Sequence, residues 1–300
     1  MDGEKMLEEI RELGFESVEL GHGTRLSLVE GILRAHKKGL MKITSLHNFC
    51  PLPPGVIHAA PNYYEFSSRN PAERISAIRQ TRQTLDFAEQ LNAQAVVLHL
   101  GRVPMKKHTD RLVELYEQRK KYTREYVRIK LKAVVEREKL VLRSWKFMLD
   151  TLNPIVEYAA SKKITLGVET RYLYEEIPSE PEFEGLFKHY EGSTLRYWHD
   201  TGHAHTRQFL GFSNHEEFLK RMEPYLAGWH IHDVRRPDGD HKAPGTADMD
   251  FNFLRPFLAK PAIRVLELSP HTKSAQIRKG LAFMKKILQR REGELPLTFQ

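Results

Sequence analysis

Residues 195–234 read LRYWHDTGHAHTRQFLGFSNHEEFLKRMEPYLAGWHIHDV. An apolar run closes on His199 and Asp200, a helical pattern (HEEFLKRMEPYL) follows, and a second apolar run (LAGWHIHDV) closes on His230, His232 and Asp233. Strand, helix and strand in that order form the unit from which parallel sheets are built. The same alternation extends outward in both directions. Upstream, MLEEIRELGF leads to SVELG, LVEGILRAHKKGL to KITSLHN, PAERISAIRQTRQTLDFAEQLN to AVVLHLG, and a helical region over roughly 109–162 to ITLGVETR. Downstream come a Gly/Pro/Asp-rich loop, the helix FNFLRPFLA, the strand IRVLELS and a last helix, SAQIRKGLAFMKKILQRRE. Seven strands result, centred near Val18, Thr44, Val97, Gly167, Tyr197, His230 and Leu266. Closed barrels of this kind have eight. The expectation is an α/β fold, a (β/α) TIM barrel with its first strand missing at the amino terminus, spanning residues 1–300 as a single domain.

Charged strand ends carry the functional reading. Strands of a parallel sheet are buried on both faces, so an ionisable side chain within one is costly unless paired or bound to metal. Here Glu19, His47, His99, Glu169, Asp200, His230 and Glu267 each follow an apolar run. In α/β barrels the carboxyl ends of the strands form the active site. Carboxylates and imidazoles converging on one mouth need a cation, and a divalent metal supplies it. Singly, each is equally consistent with a hydrogen-bonded core residue; together, at equivalent positions, they point to a metal site.

Composition narrows the classes. Hydrophobic residues at 40% and charged residues at 29% are those of a globular protein, and no apolar run approaches the ~20 residues that cross a bilayer. MDGEKMLEEIREL lacks the apolar core of a signal peptide, and Cys50 is the only cysteine, so no intrachain disulfide forms and a cytoplasmic location is expected. Much of the net charge of +8 sits between Arg102 and Lys146, at Lys106, Lys107, Arg119, Lys120, Lys121, Arg124, Arg128, Lys130 and Lys132. Such a cluster suits either phosphate binding or, given Glu114, Glu117, Glu125, Glu136 and Glu138 among the bases, a solvated and salt-bridged helical face; the second is preferred.

The segments GFESVELG, VVLHLG, GVETR, YWHDTGHAH, GWHIHD, DHKAPGTADMDF and VLELS, spread over residues 14–269, resemble the xylose-isomerase-like barrel superfamily, which includes sugar-phosphate isomerases and epimerases, inosose dehydratases and endonuclease IV. The resemblance implies a shared metal held by Glu169 in GVETR, Asp200 in DTGH, His230 in HIHD and Glu267 in LELS. It favours His230 over His232 because the ligand stands three residues before an acid, here Asp233. His203 resembles the superfamily's substrate-side histidine, with a role in orienting Asp200 as the alternative. His47, His99 and His241 resemble further zinc ligands of endonuclease IV, although Gly239 stands where that enzyme's Asp-x-His pair has its acid. In a one-metal site the same three histidines would hydrogen-bond substrate, which is the preferred reading.

These likenesses imply a divalent-metal enzyme, using Mn, Co, Zn or Mg, that isomerises or epimerises a sugar or related polyhydroxy-carbonyl compound through a metal-stabilised enediolate. Glu169 and Glu267 would move the proton. His203 and Arg171 would contact substrate, and His232, inward-facing, would either contact substrate or support a ligand from behind; Arg171 shares the inward face with Glu169, where it serves equally to neutralise the acids. Trp198 and Trp229 are expected as barrel filling rather than sugar platforms. A dehydratase on the same scaffold is the alternative within the fold, and an endonuclease IV-like phosphodiesterase acting on abasic DNA the alternative from another class. A small sugar-like molecule is the expected partner, nucleic acid the less favoured one, with no membrane; homo-oligomerisation stays open. The superfamily's fold begins with a strand before MLEEIREL, and the tail GELPLTFQ, with Leu295, Leu297 and Phe299 alternating, could supply it, against which Pro296 and a frayed terminus both count.

Overall fold

The computed structural model describes residues 2–59, 61–236 and 239–289. Its frame is a seven-stranded parallel sheet of β1 (Ser17–Leu20), β2 (Lys42–His47), β3 (Ala95–Leu98), β4 (Thr165–Glu169), β5 (Leu195–Asp200), β6 (Leu226–Ile231) and β9 (Ile263–Leu266), paired in that order. The strands curl into a nearly closed barrel. Among the described residues β1 and β9 are its two edges, as the strand count predicts. The tail segment expected to supply an eighth strand lies outside the described residues.

Helices cross over the outer face: α1 (Gly3–Glu12), α2 (Leu26–Lys37), α3 (Pro71–Gln90), α4 (His108–Glu117), α5 (Arg124–Ser161), α6 (Glu180–His189), α7 (Thr201–Phe209), α8 (His215–Met222), α9 (Arg255–Leu258) and α10 (Ser274–Leu288). Local chemistry sets their starts. Asp2, Asn70, Thr123, Asp200 and Asn214 each accept an amide hydrogen bond in the first turn of the helix they precede. Between helices and sheet lies the main core, where Leu85, Leu152, Ile155, Leu166, Tyr197, Trp229 and Leu254 are buried.

The period of two along each strand sorts the barrel interior into layers. Ser45, Val97, Gly167, Trp198, Gly228 and Val265 stand two residues before His47, His99, Glu169, Asp200, His230 and Glu267. Trp198 fills the lower layer with Ala95, Val97 and Val265. A Cβ on Gly228 would lie 2.2 Å from its ring and one on Gly167 2.6 Å, so both glycines make room for the indole. Trp198 and Trp229 are thus filling, as expected. The bulky lower layer is a floor that leaves the polar layer above it open only toward the strands' carboxyl ends.

Several local readings change. The strand LRYWHD ends at Asp200, because the Asp200 side chain accepts the His203 amide and starts α7 there. The helical region over 109–162 is two helices, separated by a turn in which Arg119 and Tyr122 adopt positive φ (57° and 72°). The loop after β6 holds a hairpin of β7 (Asp233–Arg235) and β8 (Gly239–Lys242), and FNFLRPFLA yields only the short α9. The basic region is solvated and in part salt-bridged, as expected, with the bases of these ion pairs gathered on one helix. Glu114 and Glu125 pair with Arg111, and Glu136 with His108; both of these bases stand on α4, which leaves the bases of α5's outer face without those acids.

Candidate functional site

Strand ends bring most of the anticipated residues together. Glu169 at the end of β4 is the hub. Its Oε2 faces His47 Nε2 at 3.2 Å and His99 Nε2 at 2.7 Å, while Oε1 accepts from Arg171 Nη1 at 3.0 Å and lies 3.2 Å from His203 Nδ1. Across the mouth, Glu169, Asp200, His230 and Glu267 each place a ligand atom within 4.8 Å of the others. Groups made by His47, Glu169 and His230 and by His203, His232 and His241 meet the same test. Only Glu267 of the four remains partly open to the cleft.

The hydrogen bonds assign protons to the imidazoles. His230 Nε2 lies 2.9 Å from Glu19 Oε1, so that nitrogen carries hydrogen and Nδ1 is left bare. His230 Nδ1 and Glu267 Oε2 are buried, have no hydrogen-bond partner and lie 3.3 Å apart. His47 Nδ1 donates to the Asn48 carbonyl (3.0 Å) and His99 Nδ1 to Asn62 Oδ1 (2.8 Å), which turns both Nε2 atoms on one carboxylate oxygen. Bare nitrogens facing carboxylates repel unless a proton or a metal lies between them. An imidazole fixed on its far side by a carboxylate is the usual setting of a metal-bound histidine. The donor set therefore fits a divalent cation.

Electrostatics agree. Burial pushes the Glu169 carboxyl up, but Arg171, His99 and His230 outweigh it and hold it well below the ordinary range. Asp200 is likewise depressed, His203 and His232 overcoming its burial. Burial and Arg171 keep His99 well below its usual value, hence neutral and able to ligate. His230 moves the other way: Glu267, Glu19 and Glu169 overcome its burial and hold a proton on it, the charge a bound cation would supply instead. Carboxylates held down and a histidine held up in one pocket are the mark of opposite charges gathered there, as functional sites gather them.

The remaining anticipated residues form a second ring. His232 is fully buried; its Nε2 lies 3.0 Å from Asp200 Oδ1 and its Nδ1 accepts the His241 amide at 2.9 Å. It braces Asp200 rather than facing the cleft. His203 donates from Nδ1 to the Thr170 carbonyl (2.9 Å), with Glu169 Oε1 at 3.2 Å and Asp200 Oδ2 at 3.3 Å from the same nitrogen. The β7–β8 hairpin carries His241, which stacks on His232 at 4.1 Å. Arg171 bridges Glu169 and Glu176. Three contributors went unassigned in the sequence. Glu19 had the signal, a strand-end acid like the others. His22, edge-on to His47 at 4.8 Å with Nδ1 buried and unpartnered, and Asn62 both lie on loops and gave no periodic signal.

Comparison with known proteins settles the lineage of this mouth. The family described as xylose isomerase-like TIM barrel matches residues 7–287. The chain belongs to that family. No curated protein matches the sequence significantly. Among solved structures, this xylose isomerase-like barrel is similar to a putative xylose isomerase from Rhodospirillum rubrum (17% identity, TM-score 0.67, 95% of this chain and 93% of that one). It is also similar to a D-tagatose 3-epimerase-like protein (18%, TM-score 0.66, 96% and 95%) and to 3-keto-D-glucoside 4-epimerase from E. coli (13%, TM-score 0.64, 95% and 94%). At these identities the likeness establishes the fold. No helix among the described residues is long and apolar enough to cross a membrane.

Proposed function

We propose that this protein is a divalent-metal-dependent isomerase or epimerase of a sugar or related polyhydroxy-carbonyl compound. The observation that carries the reading is the pair of buried, unpartnered atoms, His230 Nδ1 and Glu267 Oε2, beside Glu169 and Asp200. Glu169, Asp200, His230 and Glu267 would hold the ion. When bound, such an ion acts as a Lewis acid on a carbonyl and an adjacent hydroxyl, acidifying the neighbouring C–H.

The chain's own residues do the rest. Glu267 has a free oxygen and a side chain open to the cleft, which makes it the better-placed base for the carbon-bound proton. Glu169 faces it and would return a proton, although the hydrogen bond and charge of Arg171 keep its resting carboxylate a weak base. His203, His241 and His22 would serve as donors or acceptors for substrate hydroxyls. His232 and Glu19 fix Asp200 and His230, so that the mouth is organised before substrate arrives.

One feature supports a second reading. His47 and His99 both direct Nε2 at Glu169 Oε2, which suits a further metal sharing that carboxylate and hence phosphodiester hydrolysis. Elemental analysis of the purified protein, together with deuterium exchange at the carbon beside the carbonyl across a panel of ketoses and aldoses, tests the two. The proposal expects one metal per chain and exchange with at least one sugar. Two or three metals, no exchange and cleavage of abasic DNA would overturn it.

A further inference from the structure

The surface of α5 carries a feature the barrel does not use. Val127, Leu131, Val134, Glu138, Val141, Trp145, Met148, Leu152, Ile155 and Ala159 follow one another at alternating steps of four and three. That is the spacing of a seam that packs against another helix. In the carboxyl-terminal half the seam is buried, with Met148, Leu152, Ile155 and Ala159 in the main core. In the amino-terminal half it continues past the barrel wall without a cover. Val127 is 53% exposed and Leu131 62%, and Val135 (41%) and Leu142 (79%) widen the same face. Tyr122, in the turn before α5, is 76% exposed. Five of the nine large hydrophobic side chains exposed among the described residues thus lie between 122 and 142, and a clustered patch of this kind marks an interaction site.

The margin of the patch is basic. Arg124, Arg128, Lys132, Lys139 and Arg143 are exposed along one side of the seam, and none forms an ion pair among the described residues. We propose that the amino-terminal half of α5 is a docking face for an amphipathic helix of a partner protein whose flanks are acidic. The seam's period favours a helix over a flat lipid surface, and Glu138 at its centre would be driven into the acyl layer if lipid covered it. A second copy of this face is disfavoured, because two-fold pairing of antiparallel seams sets basic margin against basic margin. Aliphatic side chains along the seam offer nothing to a phosphate backbone, which sets nucleic acid aside.

The probe is a synthetic three-heptad helix with leucine at the core positions, glutamate on both flanks and one lysine in the core to meet Glu138. Binding is followed by fluorescence anisotropy, with hydrogen exchange of residues 124–146 as the footprint. The wild-type protein should bind it and gain protection there, with affinity falling as salt rises. Leu131→Glu with Leu142→Glu, and separately Arg128→Glu with Lys132→Glu, should each weaken binding at least tenfold. All four side chains are exposed, so circular dichroism and the melting curve should stay unchanged. No binding, binding indifferent to these variants, binding to phosphatidylserine vesicles in place of the peptide, or a dimer dissolved by Leu131→Glu would each overturn the proposal.

Discussion

Gly202→Ala tests whether the support behind Asp200 matters as much as the ligand itself. A Cβ at this position would lie 2.0 Å from His232 Cε1, 2.5 Å from Nδ1 and 2.8 Å from Nε2. Carbon atoms in contact settle at about 3.5–4.0 Å, so the ring must retreat by roughly 1.5 Å. Such a shift breaks both of its hydrogen bonds, the 3.0 Å bond to Asp200 and the 2.9 Å bond from the His241 amide. Overpacking of this kind costs about 1–3 kcal/mol and loss of a hydrogen bond to a charged group about 1.5–3 kcal/mol. A total near 3 kcal/mol lowers the melting temperature by roughly 6 °C in a chain of this size. Metal affinity should fall about 10–100-fold, as when other outer supports of metal sites are removed. Calorimetric titration with Mn²⁺, Co²⁺ and Zn²⁺ and a melting curve read these two effects separately. Adding His232→Ala removes the clash, so the double variant should be less destabilised than the sum of the singles. Metal affinity within twofold of wild type and an unchanged melting curve would refute the reasoning.

Three further outcomes are expected. Glu169→Gln and Glu267→Gln should each abolish exchange of the substrate C–H with solvent deuterium while metal binding survives at reduced affinity; near-wild-type exchange in either variant rules out the two-carboxylate scheme. Glu19→Ala should weaken metal binding by about tenfold, because it releases His230 Nε2, and titration of the metal-free protein measures this directly. His215, fully buried, is held neutral by desolvation and by His199, well below its ordinary value. A histidine depressed on folding contributes stability that is present above its unfolded value near 6.5 and is lost as pH falls below it, by up to about 1.4 kcal/mol per unit. Urea midpoints at pH 7.5 and 5.5 should therefore differ less for His215→Gln than for wild type, and equal differences would show that this histidine does not titrate on unfolding.

The barrel was legible because alternation of apolar runs and helical patterns is a property of local sequence. The mouth was legible because a strand buried on both faces tolerates an ionisable side chain only where a countercharge or a cation meets it. Glu169, Asp200, His230 and Glu267 do converge, which the period of two along four strands dictates. What the sequence hid was second-order. Strand parity points His232 inward and left it between a substrate contact and a support for a ligand; its ring is spent on Asp200 and the His241 amide. The β7–β8 hairpin was invisible because a Gly/Pro/Asp-rich stretch signals turns without saying what the turns join. The basic segment was legible as a solvated, mixed-charge surface, but charge interspersion along a sequence does not say which base each acid meets, and here Arg111 and His108 on α4 take Glu114, Glu125 and Glu136.

Asp200 serves two structures with one carboxylate. Its Oδ1 starts α7 by accepting the His203 amide at 2.7 Å, and the same group stands among the four candidate ligands. A helix that begins on a ligand cannot be repositioned without moving the ligand, so the crossover from β5 to β6 and the chemistry of the mouth are mechanically one part. Substitutions on the outer face of α7 that shift its axis should then be felt at the mouth as well as in the fold. Asn at 200 separates the two duties, since an amide oxygen still caps a helix but brings no negative charge to a cation.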